Sequence, residues 1–84
     1  MTHFTTPEFW QYFECLPEDV RRLAEKNFEL LKKNPRHSSL HLKKAGKFWT
    51  VRVGIHYRAV AKERSEGLNW FWIGHHSEYD RLLS

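Results

Sequence analysis

Three consecutive stretches in the second half of the chain alternate in side-chain character, which is the pattern of β-strands. The first two have one apolar and one polar face, and the third is apolar on both sides; they cover residues 48–53, 56–62 and 68–73. Turns at Gly54 and at residues 64–67 separate them, and connections this short require antiparallel neighbours. The pattern therefore predicts an antiparallel meander whose last strand is the most buried.

Helical signals dominate the first half of the chain. Residues 6–8 read Thr-Pro-Glu, a typical helix start, and residues 17–33 carry an apolar stripe with acids in the first turn and lysines in the last. A fourth strand is predicted over residues 38–44, and Ser77 is placed to cap a last short helix. We expect an α+β fold in which two N-terminal helices pack on a four-stranded antiparallel sheet, followed by a short C-terminal helix.

Length and composition favour one small intracellular domain. A chain of 84 residues cannot be divided into two stable cores, so residues 1–84 are expected to form a single unit. The single cysteine, Cys15, cannot form an internal disulfide, which is typical of proteins in a reducing cytoplasm. No stretch approaches the roughly 20 apolar residues of a membrane span. We therefore expect a cytoplasmic protein with no membrane contact.

A basic stretch separates the two halves of the chain. Residues 32–47 contain two histidines, no acid and six basic residues: Lys32, Lys33, Arg36, Lys43, Lys44 and Lys47. This composition favours contact with a polyanion, and the alternative is an ordinary solvated loop.

Arg52 and Arg58 are the next candidates, because each is a fixed cation on a strand that otherwise reads as packed. Antiparallel pairing about the turn at Gly54 brings them close together across the ladder, which forms a cationic platform suited to phosphate. The alternative is that Glu63 or Glu78 neutralises the pair, which then serves only solubility.

The chain end supplies groups for proton transfer. His76, Glu78 and Tyr79 combine an imidazole that titrates near neutrality, a possible base and a phenolic donor within four residues. A metal site at His75 and His76 is not expected, because adjacent side chains on an extended strand point apart and no carboxylate lies at a recognisable ligand spacing. Gly-rich phosphate loops and paired Cys-x-x-Cys motifs are absent, so no cofactor is expected.

Three segments resemble the RelE/ParE superfamily of bacterial toxins that are encoded beside an antitoxin: NPRHSSLHLKK, WTVRVGIHYRAVA and WFWIGHHSEYDRLL. The most specific parts are V-R-V-G-x-x-Y-R at residues 51–58 and I-G-x-H-x-x-Y at residues 73–79. The resemblance covers about residues 17–84 and implies two helices packed on an antiparallel sheet. The N-terminal strand usual in this superfamily is missing here or reduced to about residues 2–5, which leaves a sheet edge open.

The resemblance also implies a function. The ribonuclease branch of the superfamily cleaves mRNA, usually in the ribosomal A site. For this chain we expect a metal-independent reaction in which the 2′-hydroxyl attacks the adjacent phosphate and leaves a 2′,3′-cyclic phosphate. The matching positions here are Arg52, Arg58, His76 and Tyr79. We expect His76 to act as base or acid, Arg52 and Arg58 to stabilise charge and Tyr79 to orient RNA, with Glu78 as a weaker alternative base. The expected RNA contacts are Lys43, Lys44, Lys47 and His56. The expected partners are a cognate acidic antitoxin, mRNA and the ribosome; the alternative is a ParE-like inhibitor of DNA gyrase or an inactive interaction module of the same fold.

Overall fold

The computed structural model describes residues 2–83. Their central element is a five-stranded mixed sheet, with two helices near the N-terminus and one helix at the C-terminus. The elements are β1 (Thr2–Thr5), α1 (Pro7–Glu14), α2 (Glu18–Lys33), β2 (Lys43–Ala45), β3 (Phe48–Val53), β4 (Tyr57–Arg64), β5 (Gly67–His75) and α3 (His76–Leu83). The strands lie in the order β1-β5-β4-β3-β2. No helix in this range is long and apolar enough to cross a lipid bilayer.

The two N-terminal helices form as the sequence predicts. Thr6 caps α1, because its hydroxyl oxygen accepts a hydrogen bond from the amide of Phe9 at 3.1 Å, and Pro7 occupies the first helical position. The second helix carries acids in its first turn and lysines in its last turn, so both ends suit the helix dipole. The guanidinium of Arg21 donates to the carbonyl of Leu16 at 2.7 Å, which joins α2 to the short segment that connects the two helices.

One face of the sheet builds the core with these helices. Its members come from alternate strand positions and pack with Phe13, Leu16 and Leu31 of the helical layer; they are Val51, Val53, Ala59, Ala61, Leu68, Trp70 and Ile73. The intervening positions of the paired strands therefore lie on the opposite face, and they include Arg52 and Arg58. The α+β class and the helix-on-sheet arrangement are confirmed.

The expectation of four antiparallel strands is wrong in one respect, because the sheet has a fifth strand that runs parallel to its neighbour. The strand is β1, and it pairs with Gly67–Trp70 in the register Thr2 to Gly67 and Thr5 to Trp70. A side chain at residue 67 would clash, since a Cβ there would lie 1.9 Å from the carbonyl oxygen of Thr2. The resemblance allowed an N-terminal strand that is missing or reduced to about residues 2–5, and the reduced form is present. Alternation over four residues is too short to predict the strand by itself, and its partner lies at the far end of the chain.

The strand predicted over residues 38–44 is also placed differently. The structure has a strand only at Lys43–Ala45, paired with β3. Leu40 is fully buried, as its apolar character indicates, but it lies in a loop. Its carbonyl accepts a hydrogen bond from the amide of Arg52 at 2.7 Å. His41 adopts a left-handed conformation with φ of 49°, which interrupts the extended backbone. The alternating side chains of residues 38–42 therefore belong to a loop that the buried side chain of Leu40 anchors, and not to a strand.

A β-bulge divides β5. Ala61 pairs with Trp70 while Val60 pairs with Trp72, so Phe71 is an extra residue opposite the Val60/Ala61 step of β4. The bulge changes which face of the sheet the residues after Phe71 occupy. It keeps Trp70 and Ile73 in the helix-facing core, although these residues are three apart, and a regular strand would place them on opposite faces.

The last helix begins two residues earlier than a cap at Ser77 predicts. It starts at His76, and His75 provides the cap, because its Nδ1 accepts a hydrogen bond from the amide of Ser77 at 3.2 Å. The Ser77 hydroxyl lies 3.0 Å from the same nitrogen. The strand β5 therefore runs directly into α3, and the histidine pair occupies the junction.

We expect His3 to make folding stability depend on pH. Its Nδ1 accepts a hydrogen bond from the buried indole of Trp70 at 3.0 Å, and burial, with a smaller contribution from Lys32, lowers its pKa from the ordinary value of 6.5. The unfolded chain then binds a proton more readily than the folded one, so the free energy of unfolding is largest above about pH 6.5 and falls as the pH drops below it.

Denaturant unfolding at about pH 7.5 and about pH 5.5 measures this dependence. The variant His3→Asn keeps an acceptor for the indole but has no titratable ring, and the other histidines are common to both proteins. Its free energy of unfolding should fall less than that of the wild type over the same interval. Equal losses in the two proteins would show that His3 does not contribute.

Candidate functional site

Arg52 and Arg58 lie directly opposite each other on neighbouring strands. They are Cα partners in the β3–β4 ladder, and both are half-buried. Lys43 pairs with Thr50, two residues from Arg52, so it lies on the same face of the sheet. The next partner of Arg58 across the sheet is Gly74 of β5, which adds no side chain to this row. The prediction that pairing about Gly54 brings the two arginines together is consistent with this register.

No acid in the described part of the chain neutralises the charges of the two arginines. Within residues 2–83, neither guanidinium has a carboxylate oxygen within ion-pairing distance; Arg58 donates only to the carbonyl of Tyr57, at 2.9 Å. Glu63 is engaged elsewhere, since its Oε1 accepts from the indole of Trp49 at 2.8 Å and lies 4.0 Å from Nζ of Lys44. Like charges placed directly opposite each other on a ladder are destabilising, so this platform costs stability.

The β3–β4 turn is fixed to the junction of β5 and α3. The amide of His76 donates to the carbonyl of His56 at 2.8 Å, and the adjacent residues Tyr57 and His75 are ladder partners. Gly54 in this turn has φ of 68°, and a Cβ there would lie 3.0 Å from a methyl of Leu23, so the turn also approaches α2 closely. Two hydrogen-bonded segments that are distant in sequence thus hold His56 and His76 side by side.

Three imidazole rings meet at this junction. The ring centroids of His75 and His76 are 4.5 Å apart, and His56 lies 6.0 Å from the first and 6.2 Å from the second. The expectation that the side chains of His75 and His76 point apart is therefore wrong. It assumed an extended strand, but the backbone turns into a helix at His76, and this brings the two rings to one side.

The remaining C-terminal candidates separate on α3. Tyr79 is half-buried and lies three residues after His76, so these two share a side of the helix. Glu78 is exposed and faces a different direction; it lines a shallow pocket of about 210 Å³ with Trp72, Gly74 and other residues at the end of β5. Tyr79 therefore lies on the same face of α3 as His76, whereas Glu78 lies beside the end of β5.

The four expected RNA contacts do not form one group. Lys43 lies on the face of the arginine pair, whereas Lys44 pairs with Trp49 on the opposite face and lies 4.0 Å from the Glu63 carboxylate. Lys47 is exposed in the β2–β3 turn, with its ammonium 5.8 Å from the ring centroid of Phe48. His56 belongs to the histidine junction and is exposed.

Two features of the arginine face were not among the candidate site residues. Lys62 alternates with Arg58 through Val60, so it adds an exposed cation to this face, and the two-residue spacing was a signal for it. Gly74 is the second feature. A Cβ at this position would lie 2.6 Å from the indole carbon Cζ2 of Trp72, so the position is closed to a side chain by the tryptophan ring. No local pattern could have shown this, because the bulge determines which way Trp72 points.

A family model described as "ParE-like toxin domain" matches residues 18–81, which is most of the chain. The chain belongs to the ParE-like toxin family. The matched range includes both arginines and the histidine junction, and it confirms the resemblance to the RelE/ParE superfamily that the sequence segments indicated. Among curated proteins, no sequence matches this toxin significantly.

Solved structures show the same fold at low sequence identity. The RelB-RelE antitoxin-toxin complex from Methanococcus jannaschii matches with a TM-score of 0.75 and 14% identity, over 96% of this toxin and 99% of that chain. The YoeB/ParE toxin from Agrobacterium tumefaciens matches with a TM-score of 0.68 and 15% identity, over 90% of this toxin and 99% of that chain. The isolated RelE toxin from E. coli matches with a TM-score of 0.61 and 15% identity, over 98% and 97% of the two chains.

We predict that the two arginines repel each other in the folded toxin. The substitution Arg52→Gln should change the free energy of unfolding more favourably in the wild-type toxin than in the Arg58→Gln variant, and the same should hold for Arg58→Gln with the roles exchanged. The coupling in a double-mutant cycle should be roughly 0.2–1 kcal/mol. Denaturant unfolding of the four proteins measures it, and high salt should reduce the coupling.

Lys62→Gln is the matched control, since its ladder partners are Phe48 and Asn69 and not another cation. Combined with Arg52→Gln, it should show little coupling. A coupling of the opposite sign for the arginine pair would mean that the two guanidinium groups stabilise each other through a shared partner.

Proposed function

We propose that this toxin is an endoribonuclease that cleaves mRNA. The observation that carries the proposal is a pair of arginines that no acid among residues 2–83 neutralises, beside a histidine junction fixed by a backbone hydrogen bond.

 The proposed substrate is ribosome-bound mRNA. Arg52 and Arg58 face each other across the ladder, and Gly74, the next residue in that row, lies two residues before His76. Keeping two like charges at this position costs folding stability, and a phosphate ligand would offset that cost.

The proposed reaction is an internal phosphoryl transfer. The 2′-oxygen of a ribose attacks the adjacent phosphorus, its proton passes to a base on the toxin, and the bond to the 5′-oxygen of the next nucleotide breaks. An acid protonates that leaving oxygen. The products are a 2′,3′-cyclic phosphate and a 5′-hydroxyl, and the toxin must supply one proton acceptor, one proton donor and positive charge around the phosphate.

His76 is the proposed proton-transfer residue. Its backbone is fixed by the hydrogen bond to His56, and its ring is half-buried, so the imidazole is both positioned and accessible. The ring of His56 lies 6.2 Å away and supplies a second imidazole, so the pair offers an acceptor and a donor for the two proton transfers. Glu78 remains an alternative base, although it faces a different side of α3.

The remaining residues would bind RNA. Arg52 and Arg58 would contact the phosphate whose charge increases in the transition state, and Tyr79, on the His76 side of α3, would orient or stack a base. Lys44 lies on the opposite face of the edge strand β2 and Lys47 lies in the β2–β3 turn, whereas Lys43 and Lys62 extend the cationic face along the sheet. These cations would track the RNA backbone without reading its sequence.

We predict that His76→Ala lowers the rate of RNA cleavage by about 10²- to 10⁴-fold, which is the usual contribution of a positioned acid or base. The fold should survive, because the hydrogen bond to His56 uses the backbone of residue 76 and not its ring. Arg58→Ala should also lower the rate. Cleavage of ribosome-bound mRNA by purified variants, together with thermal melts, measures both effects.

His37→Ala is the control for loss of an imidazole, since His37 lies in the α2–β2 loop and its ring contacts Ser39. His75 is unsuitable as a control, because its ring lies 4.5 Å from that of His76 and caps α3. A folded His76→Ala protein that cleaves at the parent rate would rule out the assigned role. A parent toxin that leaves mRNA intact while its expression causes DNA damage would instead support gyrase inhibition.

We also propose that an acidic antitoxin binds this toxin. The solved complexes of similar fold from Methanococcus jannaschii and Pyrococcus horikoshii contain a RelB partner with the RelE chain. In this toxin the basic residues between 32 and 47 are all exposed, and β2 is an edge strand of three residues whose outer side has no strand partner in the described sheet. An acidic segment would therefore meet both complementary charge and a free strand edge.

Co-expression with the adjacent small gene tests this partner. The complex should form at low salt and weaken as the ionic strength rises, because the association is electrostatic. The double variant K43E/K47E should bind less in a pull-down, whereas Lys26→Glu, an exposed change on α2 outside the basic stretch, should bind as the parent does. Failure to form any complex at low salt would contradict the proposal.

A further inference from the structure

We propose that His56, His75 and His76 form a binding site for a late first-row divalent cation such as Zn²⁺, and that occupancy of this site switches off the toxin. One ring nitrogen from each histidine lies within 4.8 Å of the corresponding nitrogens of the other two. The metal site is independent of the proposed function. The switch rests on the proposed function, because inhibition by the metal requires that His76 acts in RNA cleavage.

The geometry is close to that of a coordinated metal. Zinc–imidazole bonds of about 2.0–2.1 Å in a tetrahedral site place ligand nitrogens roughly 3.4 Å apart. The three nitrogens, which lie within 4.8 Å of one another, therefore need to approach one another by at most about 1.4 Å. His56 is exposed and free to rotate, and the nearly parallel rings of His56 and His75, which differ in orientation by 7°, lie 6.0 Å apart.

The backbone that carries the ligands is already assembled. His75 and His76 are consecutive, and the turn residue His56 is joined to them by the 2.8 Å hydrogen bond from the His76 amide. The neighbouring pair of Tyr57 and His75 adds a ladder contact, and their rings meet edge to face at 5.4 Å. Less chain entropy is therefore lost on binding than in a site assembled from mobile loops.

Ser77 supplies an outer contact for one ligand. Its hydroxyl lies 3.0 Å from Nδ1 of His75, so Nε2 is the nitrogen that remains available to a metal. When Nε2 binds the cation, the ring proton resides on Nδ1 and is donated to the Ser77 hydroxyl, in place of the hydrogen bond that Nδ1 accepts from the Ser77 amide in the metal-free toxin. Histidines that bind metals commonly donate their second ring nitrogen in this way, which fixes the orientation of the ring.

The ligand types determine which cation fits. Three imidazoles without a thiolate suit Zn²⁺, Cu²⁺ and Ni²⁺, whereas Mg²⁺ and Ca²⁺ prefer oxygen ligands. A three-histidine site also leaves a coordination position open to water. Two positive groups oppose a cation here, namely Arg58 and the N-terminal end of α3, but the exposed side at His56 is open to water, which weakens this repulsion.

Metal occupancy would block the proposed chemistry directly. A coordinated imidazole has no lone pair at the bound nitrogen with which to accept a proton, so His76 can no longer serve as an acid or base at that atom. His56, the second imidazole of the proposed reaction, is withdrawn at the same time. The expected effect of Zn²⁺ is therefore inhibition of RNA cleavage.

Calorimetric titration of Zn²⁺ into the metal-free toxin, without a polyhistidine tag, tests the site itself. We expect one saturable site per chain, and we expect Mg²⁺ to produce no binding signal. His56→Ala and His75→Ala should each weaken the affinity by about 10- to 100-fold or more. The matched controls His37→Ala and His41→Ala remove an imidazole outside the cluster and should bind as the wild type does.

Ring nitrogen NMR of the wild-type toxin provides a measurement that needs no variant to fold. Addition of Zn²⁺ should change the ring signals of His56, His75 and His76 and leave those of His37 and His41 in place. Absence of saturable binding would overturn the site. Affinity that persists in both His56→Ala and His75→Ala, or signal changes confined to other histidines, would overturn it as well.

Cleavage assays separate the switch from the site. The rate of each protein is measured with and without Zn²⁺, and the ratio removes any effect of the substitution on the rate itself. The wild-type rate should fall on addition of Zn²⁺, and His75→Ala should lose this sensitivity. Zinc binding without inhibition overturns the switch alone, and zinc binding by a toxin that never cleaves RNA overturns the proposed function and the switch but leaves the site in place.

Discussion

The pairing of β4 with β5, interrupted by one extra residue, is the constraint on which the rest of the molecule depends. Before the bulge, Trp70 faces the helices; after it, Ile73 faces them again and Gly74 lies beside Arg58. In a regular strand, Gly74 would face the core and Ile73 would lie in the arginine row. One residue, Phe71, thus determines both the filling of the core and the space on the opposite face.

The two faces of this sheet meet different physical demands. The helix-facing side buries aromatic and branched side chains and provides most of the stabilisation. The other side keeps Arg52 and Arg58 opposite each other without an acid among the described residues to pair with them. Residues that reduce stability persist in proteins where they serve function, and here the apolar face offsets their cost.

Sequence alone was sufficient for the parts of the fold that depend on local periodicity. The α2 helix follows from its apolar stripe and its charged ends, and the β3–β4 hairpin from alternation on both sides of Gly54, which also set the two arginines together. These features need no information from distant residues. The match between pattern and structure is therefore closest where neighbours in sequence are also neighbours in space.

The errors occurred where a distant contact decides the conformation. Leu40 alternates with Leu42 as in a strand, yet its loop is held by a hydrogen bond to the amide of Arg52. The convergence of His75 with His76 depends on the change from strand to helix between them, and the approach of His56 depends on a turn 20 residues away. The candidate site was identified by residue type, but its geometry required the tertiary structure.

The parallel strand β1 gives the molecule a particular order of assembly. Both helices and the hairpins of the meander join residues that are close in sequence, whereas Thr2 must find Gly67 across almost the whole chain. Closing so long a loop costs entropy before any contact is gained, and only four residues are paired in return. We therefore expect the first strand in the sequence to be the last to join the sheet during folding and the first to detach when the structure opens locally.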